Sequence, residues 1–259
     1  GQETDSQVDD GMTDMILYLH FNNETGQVKM LQIPRNIFVT TDASFSGNYQ
    51  INAIAKTQGS NGGNNISALA DEIYNIFGLH VDGYLSVRLE ALTQIIDTFG
   101  GIKVYVPQEM DYGGSHLSQG YQTMDGAAAE FFLRTRHIYA DSDLGRLRMQ
   151  RYFYAALFAR MRSMTVWDIA KLLPVITSQM ETDLSSTELV SVAVSMLKIS
   201  SSNIMFCQIP VYMGQAISYN GNSTVVVARQ ETADLLNEYF RENTGPVDAS
   251  QLNIAGDDG

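Results

Sequence analysis

Arginine residues gather in one short stretch of an otherwise acidic chain. Seven of the eleven arginines lie between positions 134 and 162, whereas the formal net charge of the chain is -13. Within this stretch stand Arg134, Arg136, Asp143, Arg146 and Gln150. A guanidinium group matches the oxygens of a phosphate in pairs. The local concentration of positive charge therefore predicts an anion site, and phosphate is the anion that it favours.

The spacing of these residues indicates how they could share a site. In an extended segment the side chains of Arg134 and Arg136 would point to the same side, whereas in a helix they would diverge by about 200°. Arg146 and Gln150 are four apart and share a face of a predicted helix, whose N-terminus adds partial positive charge. Asp143 would lie at or near the N-cap of that helix, where it can accept backbone N–H groups or orient an arginine. The remaining arginines are expected to be solvated or paired with acids: Arg148, Arg151, Arg160 and Arg162.

The elements that must position these residues alternate between strands and helices. Apolar runs at 15–21 and 28–33, joined by turn residues, predict a strand hairpin that Pro34 ends and from which Arg35 emerges. Residues 108–122 are typical of a loop, and those after 242 of a polar, frayed tail. The alternation favours an α/β fold with a mixed central β-sheet covered by helices on both faces, in three layers. Further strands are predicted over 84–87, 102–106, 204–209 and 224–227, and helices over 67–77, 90–99, 127–133, 144–164, 166–181 (on both sides of Pro174), 189–197 and 231–240.

Composition limits the classes of function that remain. The acidic balance argues against nucleic acid as a partner. Cys207 is the only cysteine, so no internal disulfide can form, and its apolar surroundings favour a buried structural thiol. No run approaches the roughly 20 apolar residues that span a bilayer. The chain begins at Gly1 without an initiator methionine, and we expect an upstream membrane anchor that this sequence does not include.

Five segments, in order along nearly the whole chain, resemble the LytR-CpsA-Psr family of bacterial cell-envelope proteins. Each segment is a weak signal by itself, and their order and spacing make the resemblance specific. The resemblance implies a single catalytic domain over 1–242, followed by a polar tail over 243–259. The segments are DDGMTDMILYLHFNNETGQVKMLQIPRN, QINAIAKTQGSNGG, GLHVDGYLSVRLEALTQIIDTFGGIKVYVP, GYQTMDGAAAEFFLRTRH and DLGRLRMQR.

The resemblance implies a reaction and a place for it. Members of the family are membrane-anchored at the outer face of the cytoplasmic membrane. They are thought to transfer a glycopolymer, such as teichoic acid or capsular polysaccharide, from an undecaprenyl-pyrophosphate carrier to peptidoglycan. The pyrophosphate is held by arginines with Mg²⁺, and the prenyl tail lies in an apolar tunnel. We therefore expect a polyprenyl-pyrophosphate-linked polymer and peptidoglycan as partners.

Site residues follow from the positions that match the family pattern. Arg35 matches the arginine of Ile-Pro-Arg, and Asp14 matches an aspartate that would bind Mg²⁺ or activate the acceptor hydroxyl. Asp143 would support the arginines. The residues that would hold the pyrophosphate are Arg35, Arg134, Arg136, Arg146 and Gln150, of which the arginines, together with Asp14, are also the candidate catalytic residues.

The chain departs from the pattern near its start, which leaves alternatives open. Met12 stands where many members have arginine, Thr13 and Met15 replace a serine and a threonine, and Asn36 replaces the aspartate of Ile-Pro-Arg-Asp. These changes put the catalytic rate and the metal stoichiometry in question. The alternatives are a hydrolase of polyprenyl pyrophosphate, with water as acceptor, and a lipid-binding protein without turnover.

Overall fold

Short strands alternate with helices throughout the described part of the chain. The computed structural model describes residues 13–22, 24–39, 50–57, 65–135, 137–139, 143–178, 180–219 and 222–254. The strands are β1 (Ile16–Asn22), β2 (Gln27–Ile33), β3 (Leu85–Val87), β4 (Ile102–Val106), β5 (Met110–Tyr112), β6 (Ser115–Leu117), β7 (Gly120–Met124), β8 (Met180–Thr182), β9 (Ile204–Gln208), β10 (Val211–Tyr219) and β11 (Asn222–Val227). The α-helices are α1 (Ile54–Thr57), α2 (Ile66–Phe77), α3 (Leu89–Thr98), α4 (Gly126–Arg134), α5 (Asp143–Arg162), α6 (Val166–Ser178), α7 (Ser186–Leu197) and α8 (Arg229–Tyr239). This mixture confirms the predicted α/β class.

Local chemistry sets the bounds of the elements. The Asn65 side chain accepts a hydrogen bond from the Ala68 backbone at 3.1 Å and begins α2, and Gly78, with φ 63°, ends it. In β4, Ile102, Val104 and Val106 are fully buried and alternate with more exposed residues, which is the two-residue period of a strand with one face in the core. The pattern of apolar side chains and caps therefore accounts for these elements.

The chain packs as two compact units without a linker between them. The first unit comprises residues 1–20, 29–82 and 207–259, and the second comprises 21–28 and 83–206. The chain thus passes between the units four times. The assignment of residues 1–242 to a single catalytic domain stays a prediction.

The first unit is built around a three-stranded sheet with the order β1-β2-β9. Because β1 and β2 are joined by a short turn, they form an antiparallel hairpin, as predicted. Beyond β9, the Ile209 backbone donates to the carbonyl of Gln32 at 3.0 Å. Ile37 forms a parallel bridge with Val225 in β11, which also pairs with β10 as an antiparallel hairpin. The core of this unit contains the fully buried side chains Leu31, Ile33, Ile37, Ile51, Ile76 and Phe77.

The second unit carries helices α3 to α7 and three short antiparallel strand pairs. β4 pairs with β7, β5 with β6, and β3 with β8. Helix α5 packs on β4, while α4 packs on α3 and α5. Ile95, Phe99 and Leu172 form a buried cluster that joins α3 to α6. This unit therefore holds the two helices on which the predicted arginine site depends.

The structure corrects four expectations. The segment 108–122 is not a loop, since it contains β5, β6 and the start of β7. Helix α6 ends at Ser178, and β8 follows where the helix was predicted to continue. Strand β10 was not predicted at all. The tail is not frayed over its described part, because Leu252 and Ile254 are buried and Ile254 forms a bridge with Val39.

Candidate functional site

Arg134 is the last residue of α4, and the start of that helix is fixed by two carboxylates. Asp125 is the N-cap of α4 and accepts a hydrogen bond from the Ala128 backbone at 2.8 Å. Asp97 of α3 accepts from the Gly126 backbone at 2.7 Å. Both carboxylates also complement the positive end of the helix dipole. The position of Arg134 is therefore set by the packing of α4 against α3.

The chain leaves the helical conformation directly after Arg134. Thr135 has extended dihedral angles, φ -62° and ψ 125°, which agrees with the extended alternative for the segment that follows. Arg134 itself is helical rather than part of that segment. Arg136 lies outside the described residues, so the expected same-side arrangement of Arg134 and Arg136 stays a prediction.

Arg134 forms an ion pair within α4. Its Nη1 donates to Oε1 of Glu130 at 3.1 Å, and the two side chains are 36% and 29% exposed. Pairs of this kind, four residues apart and open to solvent, contribute about 0.3–0.5 kcal/mol. The Arg134 guanidinium can therefore exchange this partner for a phosphate at little cost.

Helix α5 carries a buried row of polar side chains. Arg146 is 5% exposed and Gln150 is 1% exposed, and the predicted helix that places them on one face is confirmed. Tyr154, four residues further, is 6% exposed and continues the row. Solvent reaches a different stripe of the same helix, at Arg151, Tyr152, Ala155 and Ala159.

The burial of Arg146 carries a free-energy cost of desolvation. Removing a guanidinium from water costs several kcal/mol, and an apolar side chain of similar volume is often equally or more stabilising. Gln150 adds an amide group whose donors and acceptor also need partners. Polar groups held in this way next to each other are typical of a site that binds something charged. Asp143 is the first residue of α5, and its side chain lies outside the described part of the structure.

Two buried tyrosines lie near these arginines. Burial raises the pKa of Tyr139 to about 12, although the nearby charge of Arg148 lowers it in part. Burial also raises the pKa of Tyr154, against a smaller opposite effect of Arg146. Both phenols therefore stay protonated at physiological pH and can donate hydrogen bonds. The Tyr139 hydroxyl lies 3.8 Å from the sulfur of Met110.

Asp14 and Arg35 form an ion pair in the first unit. Nη1 of Arg35 donates to Oδ1 of Asp14 at 2.6 Å, and the side chains are 19% and 50% exposed. Both residues are held by the buried Asn52, whose backbone N–H donates to the Arg35 carbonyl at 3.1 Å. The Asn52 carbonyl accepts from the Thr13 backbone at 3.1 Å and from the Thr13 hydroxyl at 3.2 Å. Asn52 therefore fixes the two segments that present the pair.

Sequence reasoning overlooked the positioning role of Asn52 and the place of Tyr154 in the polar row. Asn52 belongs to QINA, one of the segments that carry the resemblance, so its identity was visible although its role was not. Tyr154 lies four residues after Gln150, and extending the spacing of Arg146 and Gln150 by one step would have found it.

Asn36 occupies the position of an acid in the family pattern. Its backbone carbonyl accepts from the Val225 N–H at 3.3 Å. Its side-chain oxygen is buried, and no group of the described residues bonds to it. The substitution therefore leaves an amide where a second carboxylate next to Arg35 would have stood.

The described residues offer no ready-made cage for a metal ion. Among them, no group of three or more histidine, cysteine or acidic side chains is arranged to hold one. Mg²⁺ ordinarily takes only one or two carboxylates, together with phosphate oxygens and water. The half-exposed carboxylate of Asp14 suits that limited role.

Of the arginines left outside the predicted site, Arg151 is exposed as expected, whereas Arg160 is partly buried and bonds to a backbone carbonyl instead of an acid. Arg160 donates from Nη2 to the carbonyl of Phe99 at 2.6 Å and so satisfies the C-terminal end of α3. Arg151 is exposed, and its Nε donates weakly to the Arg148 carbonyl at 3.4 Å. These contacts stabilise helices and have no evident part in binding an anion.

None of the described helices has the length and hydropathy that a membrane span requires. At the start of α6, the neighbouring apolar side chains of Val166 and Trp167 are exposed.

Solved structures share this fold. The crystal structure of TagV from B. subtilis superposes with a TM-score of 0.75 at 21% identity, and the match covers 90% of this chain and 89% of that one. A structure of TagT bound to LI-WTA gives a TM-score of 0.69 at 19% identity, covering 88% of this chain and 83% of TagT. At these identities the likeness establishes the fold.

Sequence relatives point in the same direction. The polyisoprenyl-teichoic acid–peptidoglycan teichoic acid transferase TagU of Oceanobacillus iheyensis is 28% identical over 180 residues, which are 69% of this chain and 56% of TagU. The chain thus spans a little over half the length of that relative. The model of the LytR_cpsA_psr family matches residues 1–241. The chain belongs to the LytR_cpsA_psr family.

Proposed function

We propose that this protein transfers a glycopolymer from a polyprenyl-pyrophosphate carrier to peptidoglycan. The observation that carries the proposal is the buried row of Arg146 and Gln150 on α5, with Arg134 at the end of the adjacent helix α4. These groups match the anion chemistry expected of a pyrophosphate site, in a chain whose net charge of -13 otherwise repels anions. The family of the chain and the transferase among its relatives support the same reaction.

In the proposed reaction, a hydroxyl oxygen of the peptidoglycan acceptor attacks the phosphorus that carries the glycopolymer. The bond from that phosphorus to the bridging oxygen breaks. Polyprenyl monophosphate leaves, the hydroxyl proton is released, and a phosphodiester joins the polymer to the acceptor. The transfer needs no covalent intermediate with the protein.

The residues of the chain would act by positioning the substrate and stabilising charge, which are the main requirements of phosphoryl transfer. Arg146 and Arg134 would hold the pyrophosphate oxygens, and Gln150 would orient them. Arg134 would leave Glu130 to do so, since that solvent-exposed pair is weak. Arg35 and Arg136 are assigned to the same substrate on the family pattern, with Asp143 supporting the arginines.

We also propose Mg²⁺ as the cofactor, with Asp14 as its protein ligand. When bound, Mg²⁺ would neutralise charge on the phosphate oxygens. Asp14 suits this role because its carboxylate is half exposed and is held in place by Arg35. Activation of the acceptor hydroxyl is the other role open to Asp14.

We further propose, from the family resemblance, that the reaction takes place at the outer face of the cytoplasmic membrane and that an anchor preceding this chain holds the protein there. A prenyl tail would add affinity by burial, about 0.8 kcal/mol per CH₂. On α5, Phe153 and Phe158 are buried next to the polar row and are apolar in the way such a tail requires.

The buried amide oxygen of Asn36 favours one alternative, a lipid-binding protein that does not turn over. An acid at this position would add a second carboxylate next to Arg35, and its loss weakens the case for metal-assisted catalysis more than the case for binding. The alternative predicts that lipid pyrophosphate binds and that no monophosphate forms.

The function is tested with geranyl pyrophosphate and Mg²⁺, using the protein and its Arg134→Ala variant. We expect the variant to bind the lipid at least about tenfold more weakly, or about 1.4 kcal/mol, as for the loss of one charge-assisted contact. Isothermal titration calorimetry gives the affinity, and mass spectrometry follows geranyl monophosphate.

Arg134→Lys and Glu130→Gln serve as matched variants. Lysine keeps the positive charge but lacks the paired N–H donors of the guanidinium group, so Arg134→Lys should bind more tightly than Arg134→Ala and more weakly than the wild type. Glu130→Gln removes the competing partner, so affinity should hold or rise. If the wild type and Arg134→Ala bound geranyl pyrophosphate with equal affinity, Arg134 would not contribute to the pyrophosphate site. Monophosphate that forms without an acceptor would favour a hydrolase, whereas a product that requires polymer and peptidoglycan supports transfer.

A further inference from the structure

Tyr154 is a buried polar residue that the mechanism above does not use. Its side chain is 6% exposed, and its ring stacks on Phe206 with centroids 5.9 Å apart and meets Phe153 edge to face at 6.4 Å. These contacts account for the ring. They do not account for the hydroxyl, because a phenylalanine would make the same ring contacts without burying a polar group.

The Tyr154 hydroxyl has no hydrogen-bond partner among the residues that the structure describes. Leaving a buried polar group without a partner costs about 1–3 kcal/mol. Buried hydroxyl groups of tyrosine ordinarily find a partner. The geometry therefore calls for a hydrogen-bonding group that is not part of the described protein.

The position of Tyr154 on α5 indicates what that group is. Tyr154 stands one turn after Gln150 and two turns after Arg146, so all three share a face. Side chains on a helix lean toward its N-terminus, which brings the tyrosine toward the turn that carries Gln150. The hydroxyl is also close enough to Arg146 for the guanidinium charge to influence it. An anion held by Arg146 would lie within reach of this donor.

We propose that the Tyr154 hydroxyl donates a hydrogen bond to a phosphate oxygen of the lipid carrier held at Arg146 and Gln150. This inference rests on the proposed function, since it names a further contact of the same substrate. It makes Tyr154 a binding residue whose hydroxyl is satisfied only when the carrier is present.

Tyr154→Phe tests the inference because it keeps the ring and removes only the hydroxyl. We expect the affinity for geranyl pyrophosphate to fall about tenfold, as for one bond to a charged oxygen. The affinity for inorganic pyrophosphate should fall by a similar factor, because the contact is made to phosphate. The melting temperature of the ligand-free variant should equal or exceed that of the wild type, since no protein partner is lost.

Tyr152→Phe is the matched control. Tyr152 lies on the same helix two residues earlier, is partly exposed, and packs its ring 5.8 Å from that of Tyr105. The same chemical change there should leave both affinities unaltered.

Four results would overturn the inference. Unchanged affinity of Tyr154→Phe for both probes, with Arg134→Ala still weak, would refute the contact and leave the proposed function standing. A lowered melting temperature with unchanged affinity would show that the hydroxyl bonds within the protein. A loss for geranyl pyrophosphate alone would place the hydroxyl next to the tail. No binding of either probe by the wild type would refute the proposed function together with the inference.

Discussion

The guanidinium groups of the candidate site differ in how the fold holds them. Arg146 is almost completely buried, Arg35 is mostly buried against Asp14, and Arg134 is about one-third exposed and paired with Glu130. Substituting a buried arginine removes packing and leaves its partners unsatisfied, so stability falls together with binding. Arg134 is therefore the position at which a loss of binding can be measured without a loss of fold.

The residue identities of the site could be predicted from sequence, whereas their environments could not. Arg146 and Gln150 are four residues apart, which predicts that they share one face of a helix, and α5 confirms that helix. The burial of this face depends on what packs on α5, and besides the preceding helix α4 this includes β4 and α7 from more distant parts of the chain. The Asp14–Arg35 ion pair likewise depends on Asn52, which lies far from both in sequence. Long-range packing of this kind leaves no local pattern.

Asp14→Asn separates binding from turnover at the residue scale. The amide keeps the size of the side chain but is a poor ligand for Mg²⁺ and a poor base, so the rate of monophosphate release should fall at least about tenfold. Affinity for geranyl pyrophosphate should change by less than about threefold, a difference near 0.7 kcal/mol. Single-turnover kinetics and calorimetry supply the two values.

Glu24→Gln is the control for that change, because Glu24 is an exposed carboxylate in the β1–β2 turn. Glu24→Gln should alter neither the rate of monophosphate release nor the affinity for geranyl pyrophosphate. A rate for Asp14→Asn equal to that of the wild type would exclude the residue from catalysis and limit it to holding Arg35.

At the scale of elements, the long amphipathic segments were predictable and the short strands were not. Helix α2 was predicted within one residue because its apolar period, cap and Gly78 all agree. Strands β5 and β6 have three residues each, surround Gly113 and Gly114, and expose most of their side chains. With so few buried positions no alternation can be recognised, and the turn residues dominate the pattern. Strand β8 is equally short, and its first residues were predicted as a continuation of helix α6.

The contact between α3 and α4 sets where Arg134 lies, and Gly126 makes that contact possible. A Cβ at Gly126 would lie 2.4 Å from the carbonyl oxygen of Thr93. Gly126→Ala should therefore lower the free energy of unfolding by about 1–3 kcal/mol. In an unobstructed helix the same change would stabilise by about 0.5–1 kcal/mol, so the sign of the effect is diagnostic. Chemical denaturation measures it.

Ala127→Gly is the matched control, since Ala127 is exposed on the same turn. It should cost up to about 1 kcal/mol through helix propensity alone and leave the affinity for geranyl pyrophosphate unchanged. Gly126→Ala should also weaken that affinity by displacing α4 and Arg134. A stabilised Gly126→Ala variant would mean that the two helices are not in close contact at this point.

At the scale of the molecule, the first unit depends on the segment that follows α8. Leu252 and Ile254 are buried, Arg229 donates to the Leu252 carbonyl at 2.8 Å, and the Asn237 amide exchanges two hydrogen bonds with the backbone of Val247. The sequence missed this docking because Leu252 and Ile254, separated by Asn253, stand in a segment that is mostly polar. Two side chains suffice when both are completely buried.

Removal of residues 246–259 should therefore destabilise the protein severely. Loss of a buried leucine or isoleucine side chain costs about 2–5 kcal/mol, and this deletion removes both together with their hydrogen bonds. Asn243→Ala, at an exposed position before the docked segment, should leave the melting temperature unchanged and is the control. Differential scanning calorimetry on the two variants gives the comparison. Equal melting temperatures would show that the docked segment contributes little to stability.

The interleaving of the two units has a consequence for how the chain matures. Most of the second unit is one continuous run, residues 83–206, which can fold as it emerges from the ribosome. The first unit cannot be completed until β9 and the residues after it have been synthesised, because β9 pairs with β2. Until then β2, whose residues 28–33 become wholly buried, presents an unpaired apolar edge. We therefore expect the β1–β2 hairpin to be the segment of the nascent chain that needs protection by a chaperone for the longest time.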